Sequence, residues 1–465
     1  MLKPAFALAA LFASTAAVAQ PITPAEQVQI DKAVTDALAH YSVPSASIAI
    51  VRDGKIVLAK AYGKASETIP VARPDLPYQI ASNSKQFTAM AMLLLEDEGK
   101  LSLDDKVSKY VRNISRGDEI TLRQLLDHTS GLQDYWPQDY SFAAMARPVR
   151  PEGIVNEWAR RRPLDFNPGD QWQYSNTAYV VAGMIVEQVS GKPLLTFLKE
   201  RIFTPLGMTS VEDMDRTNGP RFPQGYGRYA LGPVRPVTPP APGWLYAAGE
   251  LSMTATDLAK WNIARMNRSL LPAEDWAAQE TTTKLNDGKD SGYGLGVFVR
   301  DAGGRRVINH GGESVGFLSV NNVYPKEKTA IVVLTNSWSG GAYGVIARQL
   351  AQIVLPATAP APSSATLDRA RTVYDQLRAG KLDRSLLTAN ANYYFTPQAI
   401  ADFRASLAPL GEPTAFTADG KEVLRGGYVI QGYSIKYPTR TLNLSTFREP
   451  GANGRIEQFL VSPDE

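Results

Sequence analysis

The 465-residue chain reads as an α+β protein, and the order of its patterns carries that reading. A β-hairpin signal stands near the start, a long helical middle follows, and short β-branched runs return late. Strands from both ends are therefore expected to share one antiparallel sheet flanked by helices, beside an all-helical region. Near residue 356 the composition breaks, and a second, smaller α+β domain is expected beyond it.

Residues 1–19 combine a short basic start at Lys3, an apolar stretch and the small-residue pattern Ala17-Val18-Ala19. That order predicts a signal peptide cleaved after Ala19, hence an exported protein, periplasmic or secreted. The apolar stretch is shorter than the roughly 20 residues a spanning helix needs, so no stable membrane anchor is expected. From Ile22 to about His40 the apolar spacing predicts an amphipathic helix. ASIAIVRDGKIVLAKAYG predicts two strands turned at Asp53-Gly54, a dipeptide suited to tight hairpins.

The segments ITLRQLLDHTSG, NTAYVVAGMIVEQVSG and LLTFLKERIF carry helical periodicity, and the first two close near Gly. GYGLGVFVR, RRVINHGG, FLSVNNVYP and TAIVVLTN then predict a meander of antiparallel strands. PATAPAPSSAT, residues 356–366, has the composition of a linker, which places a main domain at 20–355 and a small one at 367–465. In the latter, LDRARTVYDQLRAG predicts a helix, and GGYVIQGYSIKY and IEQFLVSP predict strands.

Composition removes several functions. Forty-nine Lys and Arg stand against 46 Asp and Glu, too even a balance for a nucleic-acid footprint. The chain has no cysteine, so disulfides and thiolate metal sites are out, and its three histidines, His40, His128 and His310, are far apart. Metal-free chemistry without a cofactor is expected, on a small molecule or short peptide. No pattern bears on oligomeric state.

Three short motifs carry chemistry. Ser82 and Lys85 stand three apart in YQIASNSKQFTAMAMLLLEDEG, a helical run closing near Gly99, so they share one helical face. A serine hydroxyl becomes nucleophilic when a base takes its proton, and a lysine serves once burial lowers its pKa from about 10.4. Ser82 at the first turn also meets the positive end of the helix dipole. The plainer reading makes Ser82 a helix cap. Tyr174-Ser175-Asn176 follows a turn-like NPGD, and a phenol beside a lysine is held as phenolate or shuttles protons, while the amide binds a substrate carbonyl or the lysine. The plainer reading makes Asn176 a helix cap. His310-Gly311-Gly312, before Glu313, lets backbone approach a ligand, so that a following N–H completes an oxyanion hole with that of Ser82.

In this order the motifs, with LLDHTSGL at 125–132, FNPGDQWQYSN at 166–176 and AAGELSMTATDLAKW at 247–261, resemble the serine β-lactamase and D-alanyl-D-alanine carboxypeptidase superfamily. The likeness is to the branch of class C β-lactamases, D-aminopeptidases and β-lactamase-like esterases, and covers about residues 22 to 350. It implies a β-lactamase/transpeptidase-like fold, with Ser82 as acylated nucleophile, Lys85 as its base, Tyr174 as proton shuttle and Asn176 as substrate-carbonyl ligand. His310, Gly311, Gly312 and Glu313 stand where the family carries its substrate-binding Lys-Thr-Gly strand. The cation and hydroxyl that bind a carboxylate are missing there, which points to D-amino-acid peptides, amides or esters, with weak or no β-lactam hydrolysis. The alternative is a penicillin-binding or sensor-like protein that turns nothing over. His128 is expected to support the fold. The last hundred residues resemble the nuclear-transport-factor-2-like fold.

Overall fold

The computed structural model describes residues 20–463 apart from 139–140, 230–231, 303, 339–340, 356–364, 426–427 and 452–453. The expected signal peptide and most of the expected linker thus lie outside the described residues. The chain divides into two compact units, one of Met1–Asp301 with Arg305–Ala357 and one of Ala302–Gly304 with Thr358–Glu465.

In the first unit, helix α1 (Pro24–Tyr41) opens with a capping box, Thr23 accepting from the Glu26 N–H and Glu26 from that of Thr23. Strands β1 (Ser45–Arg52) and β2 (Lys55–Gly63) form the expected hairpin. Its turn residues Asp53 and Gly54 have φ of 50° and 71°, the left-handed pair that matches strand twist. Four later strands, β3 (Phe298–Ala302), β4 (Arg305–Ser314), β5 (Phe317–Tyr324) and β6 (Thr329–Thr335), complete a six-stranded sheet in the order β2-β1-β6-β5-β4-β3. The two ends of the domain meet where β1 pairs antiparallel with β6, Ala46 opposite Thr335 and Val51 opposite Ala330.

Those central strands are apolar on both faces because the sheet is covered on both. Ile48, Ile50, Ile331 and Val333 pack with α1 and helix α5 (Ala342–Val354). Ala49, Val51, Val332 and Leu334 point the other way, into the larger core shared with α2 (Lys85–Asp97), α3 (Asn176–Ser190) and α4 (Ala255–Asn267). The helical region thus sits on the face of the sheet that presents the chemistry-bearing segments.

Two expectations need correcting. GYGLGVFVR becomes strand only from Phe298. Its glycines instead allow close backbone approach: a Cβ on Gly296, whose φ is +77°, would stand 2.8 Å from the Lys85 carbonyl oxygen at the start of α2, and one on Gly294 would stand 2.2 Å from the Gln279 carbonyl oxygen. ITLRQLLDHTSG is helical only over Leu122–Leu126. Asp127 stops it, accepting from both the N–H and the hydroxyl of Thr129 at 3.0 and 2.6 Å, an Asx turn that outcompetes the next helical bond.

The second unit begins with α6 (Ala365–Arg378), so the last two linker residues already lie in a helix. Its antiparallel sheet runs β7 (Ala415–Arg425), β8 (Tyr428–Lys436), β9 (Thr441–Arg448), β10 (Ile456–Pro463) in sequence order. Val373, Tyr374, Leu377, Phe416, Ile435, Leu444 and Phe459 give this unit its own core.

Candidate active site

Ser82 sits on a single 3-10 turn, Ala81–Ser84, that runs directly into α2. Ala81 before it has φ +47°, a left-handed conformation that costs a non-glycine residue and that the packed surroundings must hold. The serine is no helix cap. Its Oγ accepts a hydrogen bond from Lys85 Nζ at 3.1 Å and is also hydrogen-bonded to the Tyr174 side chain.

Lys85 is fully buried, and its ammonium reaches two further acceptors, Asn176 Oδ1 and the Ala248 carbonyl, each at 2.7 Å. All three partners are neutral, so they orient the amine without holding its proton. Burial lowers its pKa from 10.5 to about 7, against the pull of the Asp134 carboxylate. An amine whose proton burial has loosened this far, 3.1 Å from a hydroxyl, can take that hydroxyl's proton.

Tyr174 lies over the same amine, Nζ 4.7 Å from its ring centroid. Burial raises its phenol well above the usual value of 10, so the phenolate alternative fails and the group is a neutral O–H. Asn176 is not the helix cap. That role falls to Ser175, whose hydroxyl accepts from the Ala178 N–H. Nor is Asn176 turned to offer a donor to substrate: its Nδ2 donates to both carboxylate oxygens of Asp134 at 3.2 Å, while its oxygen faces the donor-only Lys85.

Asp134, from SGLQDYW, is the residue that sequence reasoning missed. It also accepts the backbone N–H of Asn176 at 3.2 Å and of Trp136 at 3.1 Å, and burial raises its pKa. A loop aspartate two residues before a tryptophan carries no spacing signal.

The His310 segment lies on β4, but only part of it reaches the cavity at Ser82. That cavity, about 380 Å³, is lined by Ser82, Asp134, Tyr174, Asn176, Glu313 and Trp338 among others. His310, Gly311 and Gly312 are not among its described lining residues. The His310 ring is 3% exposed, within 6.2 Å of the rings of Tyr174, Tyr293 and Phe298. Its Nε2 meets the Tyr293 hydroxyl at 2.9 Å, and burial pushes its pKa to about 3, so it is a neutral ring tying strand to core.

Gly312 has a different task. A Cβ there would stand 2.0 Å from the Ile80 carbonyl oxygen and 2.4 Å from Ser319 Oγ. The missing side chain lets β4 lie against the backbone just before Ser82, and Ser319 secures the contact by donating to Ile80 O and accepting from Asn83 Nδ2, both at 2.8 Å. Gly311 has room: its nearest neighbour would be 3.7 Å away. His128 accepts the Ser175 N–H at Nδ1, 3.1 Å, and its ring lies 4.3 Å from that of Tyr174, so it holds up the Tyr174 loop.

With this geometry in hand, the comparisons agree in direction. The family model described as Beta-lactamase matches residues 30–355. The chain is 28% identical over 312 residues to the putative penicillin-binding protein PbpX of Bacillus subtilis (strain 168), covering 67% of this chain. It is 30% identical over 328 residues, 68% of this chain, to protein flp of Staphylococcus aureus (strain N315). It spans 75% of the length of the former and 64% of the latter. A D-stereospecific amidohydrolase from Streptomyces sp. superposes with a TM-score of 0.60 at 28% identity, covering 71% of this chain and 99% of that one.

Proposed function

This chain belongs to the beta-lactamase family of serine hydrolases, and from that premise we propose that it hydrolyses D-amino-acid-containing peptides, amides or esters through an acyl-enzyme on Ser82, with weak or no turnover of β-lactams. Lys85 takes the Ser82 proton as Oγ bonds to the substrate carbonyl carbon. The backbone N–H groups of Ser82 and of Glu313, brought close by Gly312, stabilise the oxyanion. Tyr174 donates its proton to the leaving nitrogen or oxygen and recovers one from Lys85. Water then cleaves the ester by the same relay in reverse.

The single observation that carries the reading is the buried Lys85 amine, with a pKa of about 7, placed 3.1 Å from Ser82 Oγ. Likeness to a D-stereospecific amidohydrolase supports the D-configured amide. The absence of a cation and a hydroxyl at residues 310 and 311 supports poor β-lactam turnover. The leader-like first 19 residues support an exported enzyme.

The test is intact-protein mass spectrometry after incubation with a panel of aryl esters, D-amino-acid amides and β-lactams, run beside steady-state turnover. The expected result is a transient adduct with esters or amides, no adduct in Ser82→Ala, and a loss of about 10³-fold or more in kcat for that variant. Turnover retained by Ser82→Ala overturns the proposal. A long-lived adduct without turnover favours the penicillin-binding or sensor-like reading.

A further inference from the structure

A second cavity, about 820 Å³, adjoins the first and shares Glu313 and Trp338 with it. One wall is a short hairpin whose strands, Tyr226–Gly227 and Arg235–Pro236, pair with Gly227 opposite Arg235. Backbone bonds pin this hairpin to the end of β6: the Trp338 N–H donates to Tyr226 O at 2.8 Å, and the Tyr226 N–H to Asn336 O at 3.1 Å. Arg228 and Arg235 both line this cavity, with Tyr229, 90% exposed, beside Arg228, and Arg235 Nη1 donates to the Pro233 carbonyl at 3.3 Å.

The two cavities differ in sign. The one at Ser82 is lined by the carboxylates of Asp134 and Glu313, with no Lys or Arg among its described lining residues. The second sets two guanidinium groups against Glu313 alone. A substrate carboxylate held close to the scissile carbonyl faces Asp134 and Glu313 and finds no cation at residue 310, while the Lys85 ammonium is buried and already donates to Ser82, Asn176 and Ala248. One carried past Trp338 meets two arginines, whose planar forks suit carboxylate geometry.

We propose that the second cavity is an anion subsite that takes the C-terminal carboxylate of an extended peptide whose scissile carbonyl lies at Ser82, an assignment that rests on the hydrolase reading above. It ties affinity to the distance between scissile bond and carboxylate. Each residue adds at most about 3.3–3.6 Å of reach, so the advantage of a free carboxylate grows as residues are added beyond the bond.

The experiment measures affinity by calorimetry on full-length Ser82→Ala, which keeps peptides intact. The probes are acetyl-D-Ala followed by one, two or three glycines, each as free acid and as amide. With one glycine the acid has the least advantage. With two or three it binds about fivefold to tenfold tighter than the amide, a modest factor because Arg235 is exposed. Arg228→Gln with Arg235→Gln removes that preference, and Arg228→Lys with Arg235→Lys, which keeps the charge, retains part of it. Either single Gln variant serves if the double does not fold. Equal affinity of acid and amide at every length overturns the proposal, as does a preference that survives loss of both arginines. Turnover of a neutral aryl ester by the unsubstituted protein is scored separately, so failure of the hydrolase reading and failure of the subsite give different results.

Discussion

Lys85 and Arg265 are both buried cations, 0% and 1% exposed, one standing on α2 and the other bonded to the next residue of that helix, Gln86, yet they are kept in opposite states. Lys85 donates to a hydroxyl, an amide oxygen and a backbone carbonyl, all neutral, and burial brings its pKa to about 7. Arg265 donates to Gln86 Oε1 at 3.2 Å and Gln279 Oε1 at 2.7 Å, but also to the Glu280 carboxylate at 3.2 Å. Its pKa falls from 12.5 only to about 10, and it stays charged against the packed rings of Trp261 and Trp276. Neutral acceptors orient a cation while leaving its proton free to go, whereas a carboxylate in contact holds the proton in place. The first arrangement is chemistry. The second is architecture, tying α4 to α2 beneath the reactive turn.

The comparison breaks most visibly at Lys85. Lys85→Met should cost about 10³-fold in kcat, about 4 kcal/mol, because the base is gone. The fold should lose little, since the neutral partners leave no opposite charge in direct contact. Steady-state kinetics and thermal melting, done together, check both halves. Retained turnover, or a collapse of Tm, would break the distinction.

Glu280→Gln should do the reverse. It strips the buried Arg265 of its countercharge, and with it the bonds from Arg268 at 2.8 and 2.7 Å. Breaking a buried pair from one side costs about 3 kcal/mol. Denaturant titration should show that loss, with turnover per folded molecule kept. If stability holds, Glu280 is not what keeps Arg265 in place.

How far the site was legible follows the range over which each residue acts. Ser82 and Lys85 were readable because they stand one helical turn apart, and Tyr174 and Asn176 because a single residue separates them. The Asp53-Gly54 hairpin was readable for the same local reason. Asp134 was not, since its partner Asn176 is 42 residues away and only the return of a loop joins them. The Ala248 carbonyl, 163 residues from Lys85, was out of reach in principle, because every residue has a backbone oxygen. The His310 segment was taken as one lining surface, although successive residues of a strand face opposite ways. His310 and Gly312 turn inward, to Tyr293 and Ile80, whereas Glu313 and Ser314 line the cavity.

The smallest effect sharpens the comparison most, because it concerns the one carboxylate that acts on Lys85 at one remove. Asp134 does not touch the amine, and the Asn176 amide lies between them. Its charge nevertheless raises the Lys85 pKa against the larger lowering by burial. The other titratable groups facing Lys85 are neutral near pH 7. His128 is held well below its usual value, His310 falls to about 3, and the phenols of Tyr174 and Tyr179 are raised. Asp134→Asn should therefore lower the Lys85 pKa further. A base works when deprotonated, so the acid limb of kcat/KM should move to lower pH, and the variant should keep more of its own maximum at pH 6 than the unsubstituted enzyme does. The asparagine oxygen still accepts from Asn176 Nδ2, which keeps that amide turned the right way. Asp134→Ala offers no acceptor, frees the Asn176 amide to rotate, and should lose more kcat than Asp134→Asn. An acid limb that stays where it was in Asp134→Asn would mean that the carboxylate only positions Asn176, and that burial alone sets the Lys85 proton.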